Sequence, residues 1–257
     1  MSGATPFLTR TWRVARLAAH IGRGLLILAS VFPRATRKRR DQIVRAWSRK
    51  VLAILSLRLV VDLPPGFDTT AGRRLYIGNH VSWLDIYALQ AVTAARFVAK
   101  AELAAWPVLG RLIRESGTVF IERGKRSDTR RINQTLRAHL EDGETIAVFP
   151  EGTTSDGRDV LKFHANLLQA ALDADAQITP FCLRYLDTRG NYSEAPAYIG
   201  ELTFWQSVRR VLRERRLVCE LTLFPPLDPA GRGRRELASA AETQVRERLR
   251  GHSRQDR

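Results

Sequence analysis

The sequence predicts an α/β protein whose mixed, largely parallel sheet is flanked by helices and preceded by an amphipathic two-helix hairpin. From residue 73 onward, short apolar runs alternate with longer segments of helical periodicity, which is typical of a sheet with parallel strands. Before them, two basic segments repeat their apolar residues with the period of an α-helix. A chain of 257 residues with only two cysteines is expected to form one large domain without a disulfide framework.

The positive charge is concentrated at the two ends of the chain, whose net charge is +16. Residues 1–60 contain 13 Lys and Arg against one acidic residue, residues 61–204 contain 16 against 18, and residues 205–257 contain 13 against 7. A nucleic-acid-binding protein more often spreads basic residues over its folded body. The distribution therefore favours an anionic membrane surface as partner, with no specific nucleic acid. We expect three regions: a membrane-binding hairpin at 1–60, the main domain at 61–230, and a charged helix and tail at 231–257.

Two amphipathic helices are predicted in the first region. The apolar face of the first contains Leu17, Ile21, Leu25, Leu28 and Phe32, and its basic face contains Arg13, Arg16, His20 and Arg23. The second helix sets Ile43, Trp47, Val51 and Ile54 against Arg45 and Arg49. The longest apolar run, Leu25–Phe32, is far shorter than the roughly 20 residues that span a bilayer. We expect a monotopic hairpin with its apolar faces in the membrane interface; the alternative is that these faces pack on the protein's own core.

The remaining elements follow from the alternation of apolar runs. Strands are predicted at 75–79, 97–99, 118–121, 145–149, 178–185 and 217–224. Helices are predicted at 83–92, 103–113, 163–172, 205–213 and 234–250, and one more begins at Ser127 as its N-cap. In such a sheet the active site lies in the loops beyond the strand ends.

The strongest candidate site is Asn79–Asp85, where a strand ends and a helix begins. A loop histidine such as His80 can take a proton from a hydroxyl near neutral pH. Asp85, five residues later, can fold back, accept the proton of one ring nitrogen and stabilise the imidazolium, as in a Ser-His-Asp triad whose serine is replaced by the substrate hydroxyl. Two alternatives stay open: Ser82 and Asp85 also fit a helix capping box, and His80 alone fits a loop residue without a role.

Four ordered blocks resemble the glycerolipid acyltransferase family, typified by 1-acyl-sn-glycerol-3-phosphate acyltransferase. The first is Asn79-His-x-x-Trp-Leu-Asp85, and the second is the spacing of Lys100, Leu103, Gly110 and Arg123. Phe149-Pro-Glu-Gly-Thr-Thr-Ser155 is similar to the third block, and Ile178-Thr-Pro-Phe181 to the fourth. The resemblance covers about residues 73–185 and implies a glycerol-3-phosphate acyltransferase-like sheet, with an acyltransferase catalytic domain at 61–230.

The resemblance implies roles for the residues of these blocks. His80 is the general base and Asp85 its partner, and Ser82 is assigned to substrate binding. Substrate contacts are also expected from Arg123, with a fork for a phosphate, and from Glu151, Gly152 and Thr153. Lys100 either reaches the phosphate of the acyl donor or caps its strand. The alternative for Glu151 and Gly152 is a plain turn.

The expected reaction moves a fatty acyl group from acyl-carrier protein (acyl-ACP) or acyl-CoA, used as co-substrate, to the free hydroxyl of 1-acyl-sn-glycerol 3-phosphate or another lysophospholipid. No bound cofactor and no metal are expected, because the five histidines lack ligand spacing. The stretches Ala197–Trp205 and Leu223–Leu227 also resemble acyltransferases that finish ornithine lipids, so lyso-ornithine lipid is an alternative acceptor. A lipid hydrolase is disfavoured by the absence of G-x-S-x-G, and a non-enzymatic basic binding protein would leave the four blocks unexplained. We expect a peripheral enzyme on the cytoplasmic face of the bacterial inner membrane.

Overall fold

The computed structural model describes residues 5–106, 109–121 and 126–253. Seven strands form one sheet in the order β1-β7-β6-β2-β5-β3-β4. The strands are β1 (Leu57–Asp62), β2 (Arg74–Gly78), β3 (Arg96–Lys100), β4 (Val119–Ile121), β5 (Thr145–Val148), β6 (Gln177–Leu186) and β7 (Leu217–Leu223). All neighbouring strands are parallel except β6 and β7, which are antiparallel. The prediction of a mixed, largely parallel sheet is confirmed.

Eight α-helices surround this sheet in the described part of the chain. They are α1 (Phe7–Ser30), α2 (Arg37–Ile54), α3 (Leu84–Thr93), α4 (Leu109–Glu115), α5 (Arg126–Glu141), α6 (Leu168–Asp173), α7 (Phe204–Arg213) and α8 (Arg234–Ser253). One core joins the sheet to α2, α3 and α7, and a second core on the other face joins it to α5, α6 and α8. The single helix predicted at 103–113 is instead a 3₁₀ turn, Ala101–Ala105, followed by α4.

The apolar faces of α1 and α2 pack on the protein itself. Val51 and Ile54 of α2 are fully buried, and Trp47 packs against the same core. On α1, Leu28 is buried and Leu17 contacts that core. The outward apolar residues are different ones: Phe7, Leu8, Trp12, Val14 and Leu26. The periodicity therefore predicted correctly which residues share a helix face, but the apolar faces expected in the membrane pack mainly on the protein core.

Several basic residues of the first two helices serve internal contacts rather than an outer surface. Arg13 is buried and donates to the carbonyl oxygens of Glu214 and Arg215, at 2.7 and 2.8 Å, just beyond the end of α7. His20 is buried, stacks on Trp47 and contacts its carbonyl oxygen through Nε2 at 3.1 Å. A cation suits the position of Arg13 because the carbonyl groups at the end of a helix carry partial negative charge. His20 differs, since burial lowers the pKa of its imidazole. The prediction that Arg13 and His20 belong to an outer basic face was wrong.

Both predicted region boundaries need correction. Strand β1 begins at Leu57 and pairs with β7, so the sheet starts before residue 61, and sequence reasoning missed this strand. Helix α8 continues to Ser253 and buries Leu237, Ala241 and Val245 in the second core. These residues recur every four positions, so one face of a mostly charged helix is apolar. The C-terminal segment is therefore part of the domain up to residue 253. No helix among the described residues is long and apolar enough to cross a bilayer.

Candidate active site

The site lies where two neighbouring strands end. Strands β2 and β5 are parallel and adjacent, so the loops that follow Gly78 and Val148 emerge at the same edge of the sheet. Gly78 leaves no room for a side chain, since a Cβ there would lie 2.4 Å from the carbonyl oxygen of Phe181. The side chain of Asn79 then exchanges two hydrogen bonds of 2.8 Å with the backbone of Leu183 on β6. The loop that carries His80 is thereby fixed to the sheet.

The structure brings the side chains of His80 and Asp85 together. His80 Nδ1 lies 2.8 Å from Asp85 Oδ2, and the same oxygen accepts hydrogen bonds from the backbone amides of Val81 and Ser82 at 2.7 and 2.9 Å. Asp85 is fully buried, whereas a fifth of the His80 side chain is exposed. Asp85 therefore contacts the imidazole and also accepts from the Ser82 amide, as the acidic residue of a capping box does, although α3 begins after Trp83, which makes no side-chain cap. The two interpretations of the sequence are compatible, and three donors converge on one carboxylate oxygen.

Tyr185 is a part of the site that sequence reasoning missed. Its hydroxyl donates to Asp85 Oδ1 at 2.6 Å from the opposite side, and its side chain is fully buried in β6. Burial, with the neighbouring Asp85 carboxylate, raises the pKa of Tyr185 well above its usual value, so the phenol keeps its proton and remains a donor. Cys219 of β7 contacts the same hydroxyl. Position 185 lies 100 residues beyond Asp85, and the sequence holds no local signal for this contact.

Glu151 lies on the other side of the His80 loop. Its Oε1 accepts from the backbone amide of His80 at 2.9 Å, and the amide of Leu161 approaches Oε2 at 3.4 Å. Burial raises the pKa of Glu151 to about 8, although these hydrogen bonds oppose the shift. The His80 ring stacks on Phe149, with 3.8 Å between centroids and 9° between planes. The third block thus supplies both a ring that orients the imidazole and a carboxyl group beside it.

The other predicted substrate-binding residues are placed less uniformly. Gly152 and Thr153 are exposed in the loop after β5, and Gly152 has a φ of +74°, which favours glycine. Ser82 is fully buried, and its hydroxyl accepts from the amide of Leu84, so it belongs to the cap of α3 rather than to the cleft surface. The backbone of Lys100 ends β3, and its side chain lies outside the described residues. Arg123 also lies outside them.

An apolar cavity of about 260 Å³ begins beside the His80 loop. Phe97 lines it and stacks on Phe149, the ring against which His80 lies, with 5.5 Å between centroids. Tyr198 also lines it and donates its backbone amide to the carbonyl oxygen of Val81. The walls come from α1 to α4 and the loop before α7, and include Leu28, Val44, Trp47, Ile86, Leu112 and Phe204. The size and lining suit a hydrocarbon chain.

The described residues offer no group of three His, Cys, Asp or Glu side chains that could hold a metal ion. They also offer no reactive cysteine: Cys182 and Cys219 are both buried, and burial raises the pKa of Cys182 to about 12. Both serve as small core residues. The described part of the site thus brings together an imidazole, two carboxyl groups and a phenol.

Comparison with curated proteins yields lipid acyltransferases. A family model described as Acyltransferase matches residues 62–184. The chain is 38% identical over 200 residues to a 1-acyl-sn-glycerol-3-phosphate acyltransferase of Neisseria meningitidis, covering 77% of this chain and 76% of that protein. It is 35% identical over 207 residues to a lyso-ornithine lipid O-acyltransferase of Pseudomonas aeruginosa, covering 80% and 78% of the two chains.

The fold has a counterpart among solved structures. The crystal structure of the 1-acyl-sn-glycerophosphate acyltransferase PlsC from Thermotoga maritima superposes with a TM-score of 0.69 over 96% of this chain and 95% of that one. The sequence identity there is 22%, so this likeness concerns the fold. Two curated relatives are more than 30% identical to this chain over about three quarters of their own length, which is enough to assign the family. The chain therefore belongs to the acyltransferase family of lipid-synthesising enzymes.

Proposed function

We propose that this enzyme transfers a fatty acyl group from acyl-ACP or acyl-CoA to the free hydroxyl of 1-acyl-sn-glycerol 3-phosphate. The observation that carries the proposal is a histidine, hydrogen-bonded to a buried carboxylate and linked to a nearby apolar cavity by the stacked rings of Phe149 and Phe97. The relatives in the two Neisseria species carry the name of this activity. The reaction class of this proposal is inferred from the family, and the residues proposed to carry it out are those of the site around His80.

In the proposed mechanism, His80 acts as general base. With Nδ1–H donating to Asp85, Nε2 is the ring nitrogen that takes the proton of the acceptor hydroxyl as its oxygen attacks the thioester carbonyl. The tetrahedral intermediate collapses, the C–S bond breaks, and the imidazolium returns the proton to the departing thiolate. An ester and a thiol are formed, and no protein nucleophile is required. Asp85 keeps the imidazole in the required tautomer and stabilises its charged form.

The cavity is proposed to hold the acyl chain of the thioester. Its lining is almost entirely aliphatic and aromatic, and one lining residue, Phe97, stacks on Phe149, the ring that supports His80. A chain lying there would place its carbonyl carbon next to the imidazole, and burial of each CH₂ group contributes about 0.8 kcal/mol to binding. Positioning of this kind supplies a large part of the rate of a bimolecular transfer.

The acceptor is proposed to lie over the loops that follow β2 and β5. Glu151, protonated in part near neutral pH because burial raises its pKa to about 8, is suited to hydrogen-bond a glycerol oxygen. Thr153 presents a hydroxyl at the surface of the same loop, next to the exposed Gly152, whose missing side chain leaves space for the acceptor. Arg123 and Lys100 remain the proposed partners for the acceptor's phosphate and for the donor. The proposal also places the enzyme on the cytoplasmic surface of an anionic membrane, where lysolipid and soluble thioester meet.

Lyso-ornithine lipid is the second candidate acceptor. Four relatives, from 31% to 36% identical, are named lyso-ornithine lipid O-acyltransferase, and the chain matches them over shares similar to those of the Neisseria enzymes. The same base and cavity serve this transfer, and only the group that meets Arg123 changes, from a phosphate to a carboxylate.

One assay tests both forms of the proposal. Purified protein is given acyl-ACP or acyl-CoA together with 1-acyl-sn-glycerol 3-phosphate, other lysophospholipids or lyso-ornithine lipid. Phosphatidic acid is the expected product. Selective acylation of lyso-ornithine lipid would replace the acceptor and keep the mechanism. Release of free fatty acid without acylated product would contradict the transferase mechanism.

A further inference from the structure

A strip of aromatic and arginine side chains crosses the surface from α1 to α7, and all of them are exposed except Arg10, which is half-buried. On α7 it contains Trp205, Arg209 and Arg213, spaced four residues apart and therefore on one face. On α1 it contains Phe7 and Arg10. Trp205 is 67% exposed and Phe7 71% exposed, which is unusual for side chains of this size. We call these five residues the aromatic–arginine strip.

A groove of about 400 Å³ lies inside this strip, between the first turns of α1 and the last turn of α7. Its floor is apolar and includes Val14 and Leu212. Its rim is formed by Arg10, Arg209 and Arg213. An apolar floor under three guanidinium groups matches a ligand that has both a hydrocarbon part and an anionic part.

The three arginines have no carboxylate partner within the described part of the chain. Their side chains form no ion pair there, and Nε of Arg10 is buried without a hydrogen-bond partner. Some other surface arginines are neutralised within the protein: Arg246 contacts Asp159 and Glu242, and Arg158 contacts Glu194. The positive charge of the strip is therefore not neutralised by the described protein, and an external anion complements it.

The strip also adjoins the apolar cavity. Phe204 lines the cavity and contacts Trp205, with 5.4 Å between ring centroids. Trp106, 37% exposed, lies on the other side of Phe204 at 5.5 Å and lines the cavity too. Exposed apolar residues of α1 continue the surface through Leu8 and Trp12. Aromatic rings and arginines together on one surface are typical of a protein face at a lipid headgroup layer.

We propose that the aromatic–arginine strip is the lipid-facing surface of the enzyme, and that it binds the phosphate groups of an anionic bilayer. This inference rests on the proposed function and makes it more specific. The sequence predicted a hairpin of α1 and α2 as the membrane-binding unit. The strip instead pairs α1 with α7, because α2 turns its apolar residues to the core and the cavity. In this orientation, Trp106 and Phe204 bring the end of the cavity to the bilayer surface.

The test compares two charge reversals of equal size. Arg209→Glu with Arg213→Glu alters the strip, and Arg232→Glu with Arg235→Glu alters exposed residues near the start of α8. Both variants of the full chain are sedimented with vesicles of phosphatidylcholine that contain phosphatidylglycerol, after circular dichroism has confirmed folding. We expect at least tenfold weaker binding for the strip variant and a loss of less than twofold for the control. Trp205→Ala should weaken binding without any change of charge.

Activity is measured separately with acyl-CoA and a water-soluble short-chain lysophosphatidic acid, which needs no membrane. The strip variant should retain wild-type turnover in this assay and lose activity only on vesicle-borne acceptor. An inactive wild-type protein in the soluble assay would point to failure of the proposed function, whatever the vesicles show. Two results would overturn the strip proposal: equal loss of vesicle binding in both variants, or unchanged vesicle binding in the strip variant. In the second case, a selective loss of activity with acyl-ACP in place of acyl-CoA would indicate a protein-docking surface.

Discussion

The His80 loop and the two N-terminal helices differ in how much of their surroundings the sequence predicted. Both were predicted from the sequence, and both lie beside the same cavity. The motif placed His80 beside Asp85, and the structure has the two side chains 2.8 Å apart. The helical pattern placed the apolar face of α2 in the membrane, and the structure buries Val51 and Ile54 in the core.

The difference comes from what each kind of pattern contains. Four residues separate His80 from Asp85 at the end of a strand, and this spacing fixes a contact within one loop, because backbone geometry alone brings the two side chains together. A period of 3.6 residues shows which side chains share a helix face, but it holds no information on what that face meets. The spacing of two residues in one loop predicts which side chains meet, whereas the periodicity of a helix predicts only that its apolar face is covered by something.

The largest effect should come from removing the base. His80→Ala is expected to lower kcat roughly a thousandfold, since general-base catalysis contributes roughly 10²–10⁴. His80 is partly exposed, so the free energy of unfolding should change by about 1 kcal/mol or less. Acyl transfer and urea unfolding are measured on the same preparation. Near-normal turnover in this variant would remove His80 from the mechanism.

The sheet and the pairing of His80 with Asp85 could be predicted from the sequence, but the long-range contacts that support them could not. Strand β1 was missed because Leu57–Asp62 directly follows a helix and becomes a strand only by pairing with β7, more than 150 residues away. Tyr185 was missed for the same reason, since its contact with Asp85 depends on how β6 lies next to β2. Arg13 was read as a surface cation because its partners, the carbonyl groups after α7, are distant in sequence.

A substitution in α2 tests whether this helix is core or membrane anchor. Leu52 is 2% exposed, so Leu52→Ala is expected to lower the free energy of unfolding by about 2–4 kcal/mol. Leu26→Ala on α1 is the matched control: the same change at a side chain that is 71% exposed should cost about 0.5 kcal/mol or less. Both are measured by urea denaturation in detergent-free buffer. If both variants lost the same small amount of free energy of unfolding, the interpretation of α2 as a membrane anchor would be favoured.

The loop that carries Glu151 should give the protein a specific pH dependence of stability. The pKa of Glu151 is about 8 in the folded protein against an ordinary value of 4.5, so the folded state binds an extra proton between these two pH values. The free energy of unfolding should therefore fall as pH rises from about 4.5 to about 8, by at most about 1.4 kcal/mol per pH unit. Glu151→Gln removes this titration, and its unfolding curve should vary less over the same range. Parallel pH profiles for the two proteins would show that Glu151 stays ionised in the fold.

The smallest effect is expected from removing the hydrogen bond between Tyr185 and Asp85, which the sequence did not predict. Tyr185→Phe removes one hydroxyl, the donor to Asp85 Oδ1, and leaves the buried ring in place. Asp85 then keeps two amide donors and His80 but loses the group that fixes its second oxygen. We expect kcat to fall roughly tenfold with KM unchanged, because a hydrogen bond to a charged group contributes about 1.5–3 kcal/mol and only part of it is needed for orientation. Tyr76→Phe is the matched control, since Tyr76 is equally buried and contacts Arg74 instead. Should both variants lose kcat equally, Tyr185 would act through packing alone; a loss confined to Tyr185→Phe would establish it as the residue that positions the Asp85–His80 pair.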